Sequence, residues 1–268
     1  MSYSATVIAD SISPLEVRLT TLQISLPKFC LAQLNTHRML SRNASSSRAI
    51  PVKKLIQEAI DNPVIPTFIG ANKAGMQATE EMCGEAREKI LRLIEKHRKL
   101  SIEIVTEMSE LLAHKQLVNR YLEAHVFANV VISSTTWTNF FKLRLHHAAQ
   151  PEIQQIAQLM KEAMDTSKPT YKEVGQWHLP YISEDEKHMD IDHQKMCSIA
   201  RCARVSYAPY DSDKPNINKD LELAKKLIEE CHYSPLEHPA TPINNLGMYG
   251  NFRGWKQARF DIRGESGE

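Results

Sequence analysis

At 268 residues, 42% of them hydrophobic, the chain can bury a real core as one large domain or two small ones. Lys plus Arg number 33 against 32 Asp plus Glu, so bulk charge gives no reason to expect a nucleic-acid partner, and basic residues must act locally. The five Cys are odd in number and form no C-x-x-C, which suggests neither a disulfide framework nor a zinc ribbon and fits reduced thiols in the cytoplasm. The N-terminus lacks the basic and apolar regions of a secretory leader. No stretch approaches the ~20 apolar residues of a membrane helix, so no membrane partner is expected.

In chain order, Ala5 to Ala9 is a short β-like run, and Val17 to Leu26 alternates apolar and polar in part, as a strand does. Pro27 ends that strand, and Lys28 to Asn35 can form a short helix. Gln33 to Arg48 then reads Q-L-N-T-H-R-M-L-S-R-N-A-S-S-S-R, a polar block with little that could fill a core. Arg38, Arg42 and Arg48 carry planar forks of donors that suit phosphate. Ser41, Ser45, Ser46 and Ser47 add short donors. Composition alone fits a solvated basic loop, with a helix cap among the serines, equally well.

Pro51 opens a predicted helix over Val52 to Ile60. From Ala78 to Leu112 the pattern is helical, with Ile90, Ile94, Ser101, Ile104, Met108 and Leu112 recurring at threes and fours, and His97 is given no chemistry. In Gln116 to Gln150, Trp137, Phe140 and Phe141 read as core anchors. Phe140, Leu143 and His147 share one helical face, while Asn139, Arg144 and His146 point elsewhere. A guanidinium such as Arg144 among apolar neighbours needs anionic or carbonyl partners, and a nucleotide could supply them. Lys168 to Asp192 is loop-rich, and its His178, His188 and nearby His193 lack regular ligand spacing, so no metal site is predicted. Met196 to Tyr207 precedes a helix over Lys219 to Glu230, whose apolar side carries Leu221, Leu223, Ala224, Leu227 and Ile228. On local physics C-H-Y-S-P-L-E-H is a polar turn. Gln257 and Arg259 form a second Q-x-R on what is either an extra strand near the site or an exposed basic edge strand.

Three of these blocks resemble the flavin-dependent thymidylate synthases. That family's signature is R-H-R-x-x-S-x-N-x-x-S-x-R, and here Thr36, His37, Arg38, Ser41, Asn43, Ser46 and Arg48 stand at its fixed positions, with Thr36 the one departure. N-F-x-x-L-R followed by A-Q-x-E-I resembles the family's second block, and A-R-V-S followed by H-x-S-P-x-E-H its N-terminal block, at Arg204, Ser206, His232, Ser234, Glu237 and His238. In the usual chain that last block precedes the signature. Here it follows by nearly two hundred residues, which implies a circularly permuted or rearranged, phage-like branch.

The resemblance implies an α+β fold, a mixed or antiparallel sheet flanked by long helices. It implies a single catalytic domain over residues 1–268, in which 1–165 carries the signature and 190–268 the permuted part. It implies reductive methylation of dUMP to dTMP with FAD, with 5,10-methylenetetrahydrofolate and NADPH as co-substrates, in a homotetramer with shared active sites. Arg144 would be the catalytic residue and would grip the pyrimidine. Gln33, Ser46, Ser47, Arg48 and Arg120 would hold the nucleotide. His37, Arg38, Asn43, Asn139, Ser206, His232, Ser234 and Glu237 would hold the flavin. Thr36, Ala44, Ser133 and Thr135 depart from the family on the flavin side, while the nucleotide side is better kept. Two other readings stay open: a C5-hydroxymethylase acting on dUMP or dCMP, and a nucleotide-binding relative without catalysis. No Cys sits in an activated setting, and Cys30 reads as structural.

Overall fold

The computed structural model describes residues 2–205 and 216–261. Five strands form the main sheet: β1 (Ser4–Ile12), β2 (Arg18–Pro27), β3 (Ser41–Ala44), β4 (Phe127–Ser134) and β5 (Thr170–Tyr171), in the order β3-β4-β2-β1-β5. β5 joins β1 in parallel and every other pairing is antiparallel, the mixed sheet that was expected. The described helices are α1 (Leu31–Leu34), α2 (Val52–Asp61), α3 (Gly84–Glu110), α4 (Lys115–Val118), α5 (Thr138–Arg144), α6 (Pro151–Thr166), α7 (Ile191–Arg204) and α8 (Ile217–Glu229).

Alternation along the central strands gives the sheet two different buried faces. Leu22, Ile24 and Leu26 of β2 and Ala128, Val130 and Ile132 of β4 pack against Ile153, Ile156, Ala157 and Met160 of α6. Each Leu or Ile fully buried there contributes roughly 1.5–3 kcal/mol. Trp137, Phe140 and Phe141 join this core, as their composition predicts. On the opposite face Thr21, Ser25 and Ser133 are buried without being apolar. Buried hydroxyls need partners, and the chain after β5 supplies several. Tyr181 donates to Gln23 (2.9 Å), and Tyr181 and Cys202 pack on Val131.

Two expectations shift. The long helix begins at Gly84 rather than near Ala78, because residues 69–82 pair with themselves instead. Ala71 N–H donates to Glu80 (2.8 Å), and Met82 N–H donates to Ile69 (2.8 Å). On α3 the buried positions are Ser101 and Val105, while Ile104 is exposed and Leu112 lies beyond the helix at φ 61°. That helix is covered from one side, by α2 and the 119–125 segment, so the apolar stripe is wider than its contact. Leu143 is likewise exposed although it shares a helical face with buried Phe140, because α5 is two turns long and seats through Phe140.

After β5 the chain returns over the polar face. α7 and α8 pack on one another through Ile199, Ala200 and Ala224, and Leu236 of the following 234–237 turn joins that cluster. β6 (Ala240–Pro242) and β9 (Trp255–Gln257) make a second small sheet, and β7 (Met248–Tyr249) pairs with β8 (Phe252–Arg253). The extra strand foreseen around Gln257 is β9, and it is not an exposed edge: Gln257 is fully buried and donates to Ser41 Oγ (3.1 Å). Gly254 turns at φ 70° where a Cβ would press on Val17 (3.2 Å).

Beneath α7 a buried ion cluster ties the C-terminal helices together. Arg201 donates to Glu186 (2.5 and 2.7 Å), to Asp220 (2.9 Å) and to the Tyr181 carbonyl (2.7 Å), and Arg204 pairs with Asp220 (2.6 Å). Arg201→Met would leave two buried carboxylates without this counterion and should cost about 3–5 kcal/mol in urea unfolding. Hydrogen bonds from Arg201 hold Glu186 at about 2, below its ordinary 4.5. Its contribution is therefore complete above about 4.5 and is lost as pH falls toward about 2, an acid limb that the Met variant should lack.

Candidate functional site

The signature segment leaves α1 as a tight turn: His37 N–H donates to Leu34 (3.2 Å) and Leu40 N–H to His37 (3.2 Å). Arg42 clamps this turn from inside, donating to the carbonyls of His37 (2.7 Å) and Leu40 (2.6 Å). One of the three arginines read as anion binders is therefore engaged in the fold. His37 is buried edge-on against Phe140, with ring centroids 4.9 Å apart. Arg144, at the end of α5, donates Nε–H to His37 Nε2 (2.8 Å). A guanidinium only donates, so His37 accepts at Nε2 and carries its proton on Nδ1. Burial, then Arg144 and Arg42, lower its pKa, in keeping with a neutral ring. Arg144 also reaches Thr36 Oγ1 (3.4 Å), whose hydroxyl donates to the Gln33 carbonyl (2.7 Å). The Thr that replaces an Arg of the signature thus connects the turn to α5.

These residues open into a cleft of about 1280 Å³. Gln33, Thr36, Arg144, His147, Gln150 and Gln154 form one wall, and residues between Thr67 and Thr79 form the other. Within the second wall a Cβ on Gly70 would fall 2.1 Å from that of Ala78, so only glycine allows the two strands of that loop to close.

The serine turn lies outside that lining. Its carbonyls are tied back into the fold: Lys28 donates to Ser45 (2.5 Å), Asn119 to Ser47 (2.7 Å) and Ile50 (2.9 Å), and Lys115 to Ala49 (3.1 Å). Ser47 donates to Glu123 (2.5 Å), which also takes Arg120 (2.8 Å). Ser47 and Arg120 are thus brought together, but around an internal carboxylate that the sequence reading missed. Arg48 and Arg38 are exposed, without a hydrogen-bond or ion-pair partner among the described residues. Asn139 is exposed on α5, beside the Phe140 ring that meets His37.

A third group forms on the polar face of the sheet. With its amide nitrogen toward His238 Nε2 (3.0 Å), Asn43 also donates to the carbonyls of Ser234 (3.1 Å) and Arg42 (3.2 Å) and accepts from Ser234 Oγ (3.1 Å). His238 then donates from Nδ1 to Ser133 (2.8 Å), Ser133 donates to Thr21 (2.5 Å), Thr21 to His178 Nε2 (2.8 Å), and His178 Nδ1 to Ser11 (2.9 Å). From His238 to Ser11 each donor is used once and in one direction, while the two N–H groups of Asn43 are shared among three acceptors. Burial pushes both imidazoles down to about 3. Glu237 pairs with Arg259 (2.5 Å), and His232 is exposed, 3.6 Å from Glu230. Ser206 lies outside the described residues. Sequence reasoning missed Thr21, Ser133 and His178 as a unit; the hydroxyls on the buried side of two alternating strands were the available signal.

Among the described residues no three His, Cys, Asp or Glu are grouped to hold a metal ion. Burial, and then Glu152, push the Cys30 thiol up to about 12, far from an activated nucleophile. The chemistry available in the cleft is that of oriented donors and acceptors around Arg144.

The model of the thymidylate synthase complementing protein family (Thy1) matches residues 5–170. Two similar solved structures are a UMP/dUMP methylase, PolB, from Streptomyces cacaoi, bound with 5-Br UMP and with 5-Br dUMP. The first is 14% identical at a TM-score of 0.50 and covers 61% of this chain and 88% of its own; the second is 13% identical at 0.50 and covers 61% and 90%. At that identity the likeness concerns the fold. No curated protein sequence matches the chain.

Both buried histidines have folded-state pKa values depressed from 6.5 to about 3, so between those values the unfolded chain binds more protons. Stability should fall as pH drops below about 6.5 and keep falling toward about 3, in denaturant titrations at stepped pH. Thr21→Val breaks the hydrogen-bonded chain at its centre and should cost about 1–3 kcal/mol at neutral pH.

Proposed function

This chain belongs to the thymidylate synthase complementing protein family (Thy1), the flavin-dependent thymidylate synthases, and from that premise we propose that it methylates C5 of dUMP reductively to give dTMP. The observation that carries this reading is Arg144, held by His37 and Thr36 at the wall of the cleft that Gln33 also lines.

C5 of a uracil becomes nucleophilic when negative charge can build on the ring. The N–H groups of Arg144 not spent on His37 and Thr36 are suited to stabilise that charge on a ring oxygen, in a geometry set before the reaction begins. Neutral His37 orients Arg144 and offers no acidic proton at its shared nitrogen. Gln33 supplies a carboxamide in the same cleft. Arg38 and Asn139 flank the contact between His37 and Phe140 and keep their donors free of bonds to the described residues. That donor set fits the phosphates and ring edge of FAD, which Arg38, Asn139 and the His37 turn would hold. When bound, FAD would supply the hydride that completes the methyl group, with 5,10-methylenetetrahydrofolate giving the carbon and NADPH the electrons.

Asn43, Ser234 and Glu237 already satisfy one another or the fold, so their part is to position the flavin side and not to bind directly. Ser46, Ser47, Arg48 and Arg120 stand away from the cleft lining of their own chain. A second copy could present them to it, which supports a homotetramer with shared sites. Leu93, Leu100 and Ile104 are exposed at spacings of about two turns and one turn along α3, with exposed Leu111 at its C-cap, a face suited to such a contact. In this reading the rearranged block from residue 190 completes one catalytic domain. Five free thiols are in keeping with the cytoplasm. No helix of the described residues is long and apolar enough to cross a membrane.

A second reading is hydroxymethyl transfer to dUMP or dCMP. The observation favouring it is that Thr36, Ser133 and Thr135, three of the four departures on the flavin side, are spent on bonds to Arg144, His238 and the Arg253 N–H. Parallel incubations with dUMP and with dCMP, each with 5,10-methylenetetrahydrofolate, NADPH and FAD and with products read by mass spectrometry, separate the two. A methyl gain is expected. A hydroxymethyl gain would replace the first reading by the second, and no product with no flavin uptake would end both. Arg144→Gln should slow exchange of the dUMP C5 hydrogen by roughly 100-fold or more.

A further inference from the structure

Glu152 lies in the first turn of α6, buried to 6% exposure, two residues after Gln150. Its carboxylate accepts from Gln150 Nε2 (2.9 Å). A carboxylate only accepts, so Gln150 must turn its nitrogen to Glu152 and its oxygen away. That oxygen in turn accepts from Nε2 of Gln33. Gln33 has thereby committed its nitrogen to the protein. Its Oε1 is left without a donor among the described residues, in a side chain that lines the cleft with Arg144.

A carboxamide free to rotate presents nitrogen or oxygen to a ligand with equal ease. This one cannot, because an acceptor two links away has fixed its direction. Uracil carries a single ring N–H at N3 between two carbonyls. An oriented amide oxygen matches that N–H, and donors such as those of Arg144 match the flanking oxygens. A ring nitrogen that is methylated, or that carries a lone pair as in cytosine, would oppose the amide oxygen instead.

We propose that Glu152 is a positioning residue for substrate recognition: through Gln150 it holds the Gln33 oxygen toward the cleft, as the acceptor for the N3–H of a uracil ring. This rests on the uracil-nucleotide reading above. Glu152 itself touches no substrate.

The test is equilibrium binding of dUMP, N3-methyl-dUMP and dCMP to the full-length protein and its variants, each checked for an unchanged thermal melt. The wild type should favour dUMP over N3-methyl-dUMP by roughly tenfold or more, the scale of one well-made hydrogen bond and the group it leaves unpaired when lost. Glu152→Gln lets both amides turn over and should bring that ratio to within about threefold of unity. Gln150→Leu, which frees Gln33 without altering Glu152, should do the same and serves if the first variant folds poorly. The exchanged pair Gln150→Glu with Glu152→Gln places an acceptor-only group directly beside Gln33 and should restore the preference. An unchanged ratio in the single variants, or an exchanged pair no better than Glu152→Gln, overturns the inference and leaves the uracil reading standing. A well-folded wild type that binds no dUMP overturns that reading, and this inference with it.

Discussion

The structure depends on a sheet buried on both faces, one apolar and one polar. The apolar face needs only volume, which α6 and the aromatic residues of α5 supply. The polar face needs specific partners, because each buried hydroxyl without one costs about 1–3 kcal/mol. The single run from Ser11 through His178, Thr21, Ser133 and His238 to Asn43 meets that need for Thr21 and Ser133, while the Ser25 hydroxyl has no partner among the described residues. It binds residues from both ends of the chain to the centre of the sheet. Two uncharged imidazoles suit this place because each can accept at one nitrogen and donate at the other.

The same accounting sorts the arginines. Arg42 spends its donors on the turn it belongs to, Arg120 on Glu123, Arg259 on Glu237 and Arg201 on two carboxylates. Arg38 and Arg48 remain exposed and uncommitted among the described residues, and Arg144 is half committed, steadied by His37 and Thr36 with further N–H groups to offer. A guanidinium that is partly held is better suited to charge stabilisation than one that is free, because less ordering is left to do when the ligand arrives.

The cleft joins the two halves of this scheme. Part of its polar wall comes from the end of α5 and the start of α6, which sit where they do because Phe140 and Ile153 are buried under the sheet. The rest of that wall comes from Gln33 of α1 and Thr36 of the turn after it, locked by Arg42. Nothing in that wall is set by one residue alone: Gln33 answers to Gln150, and Gln150 to Glu152.

Much of this was legible in the amino acids. Alternation marked β2, the prolines at 27 and 51 placed the ends of elements, and the aromatic cluster of α5 and the inert Cys30 read correctly as interior. The signature marked the polar turn, and the second block Arg144, as residues to follow. Local patterns carry such information because strand period, helix period and proline geometry act over a few residues. What the sequence could not reveal were the pairings across long separations: Arg144 with His37, Ser47 with Glu123, His178 with Ser11, and the direction of the Gln33 amide. An amide, an imidazole or a guanidinium has no preferred partner until folding sets one within about 3 Å, so only the tertiary structure decided which of these groups are spent and which remain to act.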